Sequence, residues 1–342
     1  MAKQSINIGS SANDGTGSTL RAAFDICNDN FTELYGGTTS ALGFKAEGTN
    51  FTGSLLIGHS TTGAIDNAFY NTGIGIGALD ALTTGDYNIA IGYSTGTSIN
   101  SGQYNILIGS NTGDALTSGT RNVAIGHNAL STEDGHGRNV AIGHNSLFTL
   151  DAGADAYNVA IGYDAGAAVT TGVQNVLVGG KAGDALTTGN HNVALGHLAL
   201  STEDTGNKSI AIGYYALYNQ NNDADNYNVA VGHQAGTSVT TGVDNVLIGG
   251  LAGDAITTGN YNIAIGKSAL STEDGHGRNI AIGWQALKDL DAGADAYNVA
   301  IGHDAGKYVS TGVRNTIIGG LAGDSLTSGG YNIAIGYSAL GT

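Results

Sequence analysis

The chain carries its own ruler. The phrase NVAIGHNAL, residues 122–130, returns as NVAIGYDAG, NVALGHLAL, NVAVGHQAG, NIAIGWQAL and NIAIGYSAL. Taking its Asn as position 1, Asn recurs at 71, 88, 105, 122, 139, 158, 175 and 192, and again at 228, 245, 262, 279, 298, 315 and 332. Ser54 and Ser209 hold the same slot. The spacing is 17 residues, except for 19 at 139–158, 209–228 and 279–298, so four copies make a 70-residue block. A unit this short cannot bury a core by itself and gains one only by stacking on its neighbours.

The columns of the repeat say what stacks. Position 2 is Val, Ile or Leu except at Thr72 and Thr316, and position 4 is Ile except at Val178, Leu195 and Val231. Side chains alternate along a strand, so positions 2 and 4 share one face and position 3 takes the other. β-Branched residues there suit a strand packed against neighbouring strands. Position 5 is Gly in every copy, Gly92, Gly126 and Gly162 among them, which marks a bend that excludes a Cβ. A second turn signal, TTG, TSG or STG, precedes the next Asn in most copies. The fold class expected is therefore all-β: a parallel β-roll or β-solenoid of about 17 rungs over residues 54–342, roughly 80 Å long at the ordinary strand spacing. The Asn column (Asn88, Asn105, Asn122, Asn139, Asn158, Asn175, Asn192) reads as a structural ladder of stacked amides.

Position 3 is apolar throughout, mostly Ala, although it faces away from positions 2 and 4. A strand apolar on both faces should be covered on both, and the simplest cover is an identical chain about a threefold axis. Where position 3 is Leu177, Leu247 or Ile317, position 6 shrinks to Gly180, Gly250 or Gly320. That pairing suggests shared volume in a filled interior. An intertwined homotrimer is the expected assembly.

Composition removes several classes of function. With 12 Lys and Arg against 28 Asp and Glu, and a net charge of −16, the chain repels nucleic acid and anionic membranes. Its 57 Gly come without Pro or a Gly-X-Y period, which excludes collagen. No stretch approaches the roughly 18 apolar residues of a membrane helix, and MAKQSINIGSS lacks the apolar core of a signal peptide. A lone Cys27 forms no disulfide within the chain.

Before the repeats stands a different segment. In STLRAAFDICNDNFTELYGG, the residues Leu20, Phe24, Cys27, Phe31 and Leu34 form a heptad seam. The seam predicts a helix over 18–35, started by Ser18 or Thr19 and ended by Gly36-Gly37. Residues 1–37 are read as an attachment segment and 38–53 as a Gly/Thr-rich connector. The run INIGSSANDGTGSTLRAAFDICNDNFTELY resembles the N-terminal segment of bacteriophage tail-fibre and virion-appendage proteins, departing from it at Ser18, where an acidic residue is usual. The resemblance implies attachment to a tail, baseplate or neck protein of the particle. The NVAIGHNAL repeats are more loosely similar to the β-roll heads of trimeric autotransporter adhesins, which implies a trimeric roll used in surface adhesion.

Single sites are weakly signalled. His59, His127, His144, His197, His233 and His303 stand at position 6, but Tyr93, Tyr163, Tyr214, Trp284, Tyr337 and Lys267 share that column. Such a column selects bulk with a polar tip rather than metal ligands. The segments STEDGHGRN (131–139, 271–279) and DAGADAYN (151–158, 291–298) concentrate acids, and Asp151, Asp155, Asp291 and Asp295 could offer oxygens to Ca²⁺. Solvated loops are the preferred reading, and Asp114, Asp184, Asp254 and Asp324 read as caps of local turns. No nucleophile–base set breaks the repeat, so no catalytic residue, metal site or cofactor is assigned. An ice-binding threonine face is interrupted in every block. The function expected is a non-enzymatic virion fibre shaft, with Tyr157, Tyr227 and Tyr297 on the 19-residue coils as candidate contacts to a host glycan or other receptor. The alternatives are a bacterial surface adhesin and a spacer whose tip is another protein.

Overall fold

The computed structural model describes residues 44–46, 52–58 and 65–341. Seventeen three-residue strands, β2 (Leu55–Ile57) to β18 (Ile333–Ile335), follow one another at one strand per coil. Each pairs in parallel and in register with the next, as Val123↔Val140, Ala124↔Ala141 and Ile125↔Ile142 show. The fold is thus a parallel β-solenoid with 17- and 19-residue coils. Before it, β1 (Phe44–Ala46) lies within the expected connector and pairs antiparallel with β2. The proposed helix, with Leu20, Phe24, Cys27, Phe31 and Leu34, lies outside the described residues.

Rungs are tied along the rod by backbone hydrogen bonds on both sides of the Gly bend. Val123 N donates to Asn139 O at 2.8 Å, and Gly126 N donates to Ile108 O at 2.8 Å. The Gly column is fixed by two constraints at once. Gly126 has φ 141, and a Cβ there would lie 2.3 Å from the carbonyl oxygen of Gly143 on the next rung. The rest of each bend is built from left-handed residues, such as Arg121 (φ 59), Asn128 (φ 56) and Leu130 (φ 54). A left-handed Leu carries a steric penalty. The Leu130 amide is nevertheless held by Ser146 O at 3.0 Å, and its side chain is fully buried.

The Asn ladder bonds mainly to backbone. Asn88 N donates to Asn71 Oδ1 at 2.9 Å, while Asn88 Nδ2 donates to Gly102 O at 2.8 Å, joining the strand to the turn of the rung above. Direct amide–amide contacts occur at some rungs, as from Asn105 Nδ2 to Asn88 Oδ1 at 3.0 Å. Where Ser209 interrupts the column, Gln220 fills in. Its Nε2 donates to Ser209 Oγ at 2.8 Å and its Oε1 accepts from Asn228 Nδ2 at 2.8 Å.

The core lies inside the single chain. Position 3 points inward and is fully buried from Leu56 to Ile317, together with Ala129-type residues to Ala322, Leu130-type residues to Leu287 and a column eleven residues after the Asn that runs to Val309. The expected trade of volume between positions 3 and 6 does not exist, because position 6 points outward. The trade is with position 9. Leu177 Cδ1 and Cδ2 fill the space that a Cβ on Gly166 or Gly183 would enter, at 2.6 and 2.8 Å. Leu107, Leu247 and Ile317 sit likewise between Gly96 and Gly113, Gly236 and Gly253, and Gly306 and Gly323. On rungs with Ala at position 3, such as those with Ala124 and Ala141, position 9 is Leu130 or Leu147, and the interior volume is kept.

Candidate interaction surface

Because position 3 belongs to the core, positions 2 and 4 form the outer face of the sheet. Their side chains are half-buried to exposed along the whole rod: Ile106 is 38% exposed, Val176 37% and Leu195 41%. Two parallel columns of Val and Ile therefore lie open, rung after rung. A continuous apolar patch of this length exceeds what monomeric proteins ordinarily leave in water. The uncovered face of the strand is thus positions 2 and 4, while position 3 needs no second chain.

Two columns of rings and cations border the apolar stripe. On one side, among residues that precede the Asn column, Tyr70 stacks on Tyr87 at 5.0 Å between ring centroids and Tyr87 on Tyr104 at 4.9 Å. Loss of water within this stack raises the pKa of the Tyr87 phenol, and the neighbouring phenols add to the effect. Further along, Arg121 covers Tyr104. On the other side, position 6 forms a second stack, with His127 on His144 and His144 on Tyr163, both at 5.3 Å, and Trp284 on His303 at 4.6 Å. An apolar centre with a ring-rich polar rim is the usual anatomy of a protein–protein interface.

Tyr157, Tyr227 and Tyr297 belong to the first of these columns and are about half exposed. Each is anchored by a cation one rung below. Arg138 donates to Tyr157 Oη, Lys208 Nζ to Tyr227 Oη at 3.0 Å, and Arg278 to Tyr297 Oη at 2.9 Å. Asp155, Asp225 and Asp295 close these groups through ion pairs with the same three cations.

The STED turns depart from the solvated-loop expectation. Glu133, Glu203 and Glu273 are fully buried. They occupy the core column that elsewhere holds Leu82, Ile99, Leu116 and Leu186. Burial raises the pKa of all three carboxyls, partly opposed by hydrogen bonds: from the amides of His136 and His276 at Glu133 and Glu273, and from Gln220 at Glu203. The signal was present in the sequence as an eleven-residue offset from the Asn, obscured by the surrounding polar run. Two of the GDAL-turn aspartates differ from expectation: Asp114 Oδ1 accepts from Ser131 Oγ at 2.6 Å and Asp184 Oδ1 from Ser201 Oγ, each a hydroxyl of the next rung. Threonines of the TTG turns bond along the axis in the same way, as from Thr83 Oγ1 to Asn100 O at 2.9 Å.

Compared with known proteins, the chain matches no family model, no curated protein and no solved structure. Among the described residues, no helix is long and apolar enough to cross a membrane.

Proposed function

We propose that the chain is a non-enzymatic fibre subunit of a phage virion, in which three copies pack their Val/Ile faces around a common axis to make a rigid shaft. The observation that carries this reading is the open double column of positions 2 and 4, which a second and third copy of the same periodic surface would match rung for rung. Resemblance of residues 1–37 to virion-appendage N-termini supports attachment to a tail, baseplate or neck protein. The rim residues Tyr157, Tyr227 and Tyr297 point away from the chain's own core and are the candidate contacts to a host-surface glycan or other receptor. Repetition along three chains supports avidity from individually weak contacts. A bacterial surface adhesin shares every feature of the shaft and differs in where the protein resides. Antibodies against residues 54–342 should decorate appendages of released phage particles. Label confined to bacterial surfaces would replace the fibre reading with the adhesin one.

A further inference from the structure

The three buried glutamates of the core column lie in two kinds of setting. In the middle block, Glu203 is enclosed by neutral donors. Gln220 Nε2 reaches Oε2 at 2.9 Å, Asn226 Nδ2 reaches Oε2 at 3.0 Å, and Gly206 N reaches Oε1 at 2.8 Å. In the flanking blocks the amide donor is kept, from His136 N to Glu133 Oε1 at 2.9 Å and from His276 N to Glu273 Oε1 at 3.0 Å, but both side-chain donors are gone. Leu150 and Leu290 replace the Gln, and Ala156 and Ala296 replace the Asn. What arrives instead is His136 or His276 in place of Gly206, and Asp151 or Asp291 in place of Asn221. The two sets exclude each other, since a Cβ on Gly206 would lie 2.3 Å from Asn226 Nδ2.

The flanking carboxylates are left short of partners. Glu133 Oε2 has only the Ala152 amide, at 3.4 Å. Glu273 Oε2, on a side chain with no exposed surface, has no hydrogen-bond partner. His276 Nδ1 lies 3.3 Å from Glu273 Oε1, yet it too makes no hydrogen bond. One donor atom from each of Glu133, Asp134, His136 and Asp151 falls within 4.8 Å of all the others, and the same holds for Glu273, Asp274, His276 and Asp291. A buried carboxylate oxygen left without a good donor is costly, and a cation at these points would supply to Oε2 what Gln220 and Asn226 supply to that of Glu203.

We propose that the two flanking turns are divalent transition-metal sites, each clipping one rung to the next through three carboxylates and an imidazole. Glu, Asp134-type and His ligands come from one coil and Asp151 or Asp291 from the following coil. Mixed oxygen and imidazole donors suit Zn²⁺ and its neighbours better than Ca²⁺. Zinc bonds of about 2.0–2.2 Å require donors roughly 3.4 Å apart. Asp134 and Asp151 are exposed and free to close that gap around the fixed glutamate. The two sites would stand about 38 Å apart, eight rungs at the ordinary strand spacing.

The test is calorimetric titration of the full-length, chelator-stripped chain with ZnCl₂, and with CaCl₂ in parallel. Two Zn²⁺ per chain are expected at these sites, with one lost in H136Q, one in H276Q and both in the double variant. A second chain replaces residues 131–157 by the sequence of 201–227, an arrangement the protein already folds, and should also lose one equivalent. Zinc should raise the unfolding midpoint of the parent chain and leave that of the double variant unmoved. Absence of zinc binding, equal binding by parent and double variant, or tighter binding of Ca²⁺ than of Zn²⁺ would each overturn the assignment.

Discussion

At the scale of single residues, the chain shows how much of a regular fold rests on groups that permit no alternative. Gly126 combines a left-handed backbone with a 2.3 Å approach to the next rung, whereas at Gly153 (φ 66) an added Cβ would meet nothing within 4 Å. Gly126→Ala should therefore cost at least about 3 kcal/mol, and Gly153→Ala about 1 kcal/mol. Hydrogen exchange of the rungs around residues 126 and 143 measures the difference, and equal losses would contradict the backbone collision. Glu203 gives a second residue-scale prediction. Its folded pKa is raised by burial above the ordinary 4.5, so the protonated form is the one the fold favours. The resulting stability is complete below the unfolded pKa and is lost as pH rises through the folded one. Denaturant unfolding should thus show a gain on acidification towards 4.5 that shrinks in Glu203→Gln.

At the scale of the coil, volume is conserved around the interior rather than across the strand. Leu177 replaces an Ala and is accommodated by Gly166 and Gly183, once in every 70-residue block. Leu177→Ala should cost about 3 kcal/mol by opening a cavity. Adding Gly183→Leu, which recreates the Ala/Leu pairing of other rungs at a position already left-handed (φ 54), should recover at least about 1 kcal/mol. A double-mutant cycle by chemical unfolding checks this coupling, and strict additivity would refute it. The element type, period and Gly bend were legible in the repeat, because period-2 patterning and an invariant Gly report directly on backbone geometry. The inward face was harder to read. Small Ala at position 3 and large Val or Ile at positions 2 and 4 look inverted, because the coil is narrow and its own Leu130-type residues fill it. The buried glutamates were hidden by their polar flanking residues, although their offset from the Asn places them in a column of Leu and Ile. β1 was hidden because three residues carry no period.

At the scale of the whole molecule, the decisive feature is an apolar stripe that runs the length of the rod and is left open by the chain's own packing. Placing charges on it should separate chains without unfolding them, since these side chains are already half-exposed. Ile161→Glu combined with Ile248→Glu should give a smaller particle with an unchanged β-sheet circular dichroism spectrum. Loss of the sheet signal in step with the change in mass would mean that the face belongs to a core instead. The measurement that bears most directly on the trimeric shaft is the mass of the purified chain in solution, by sedimentation equilibrium. Three times the 34.2 kDa chain mass is the result expected. A species of 34.2 kDa, with the Val/Ile stripe bare in water, would contradict it.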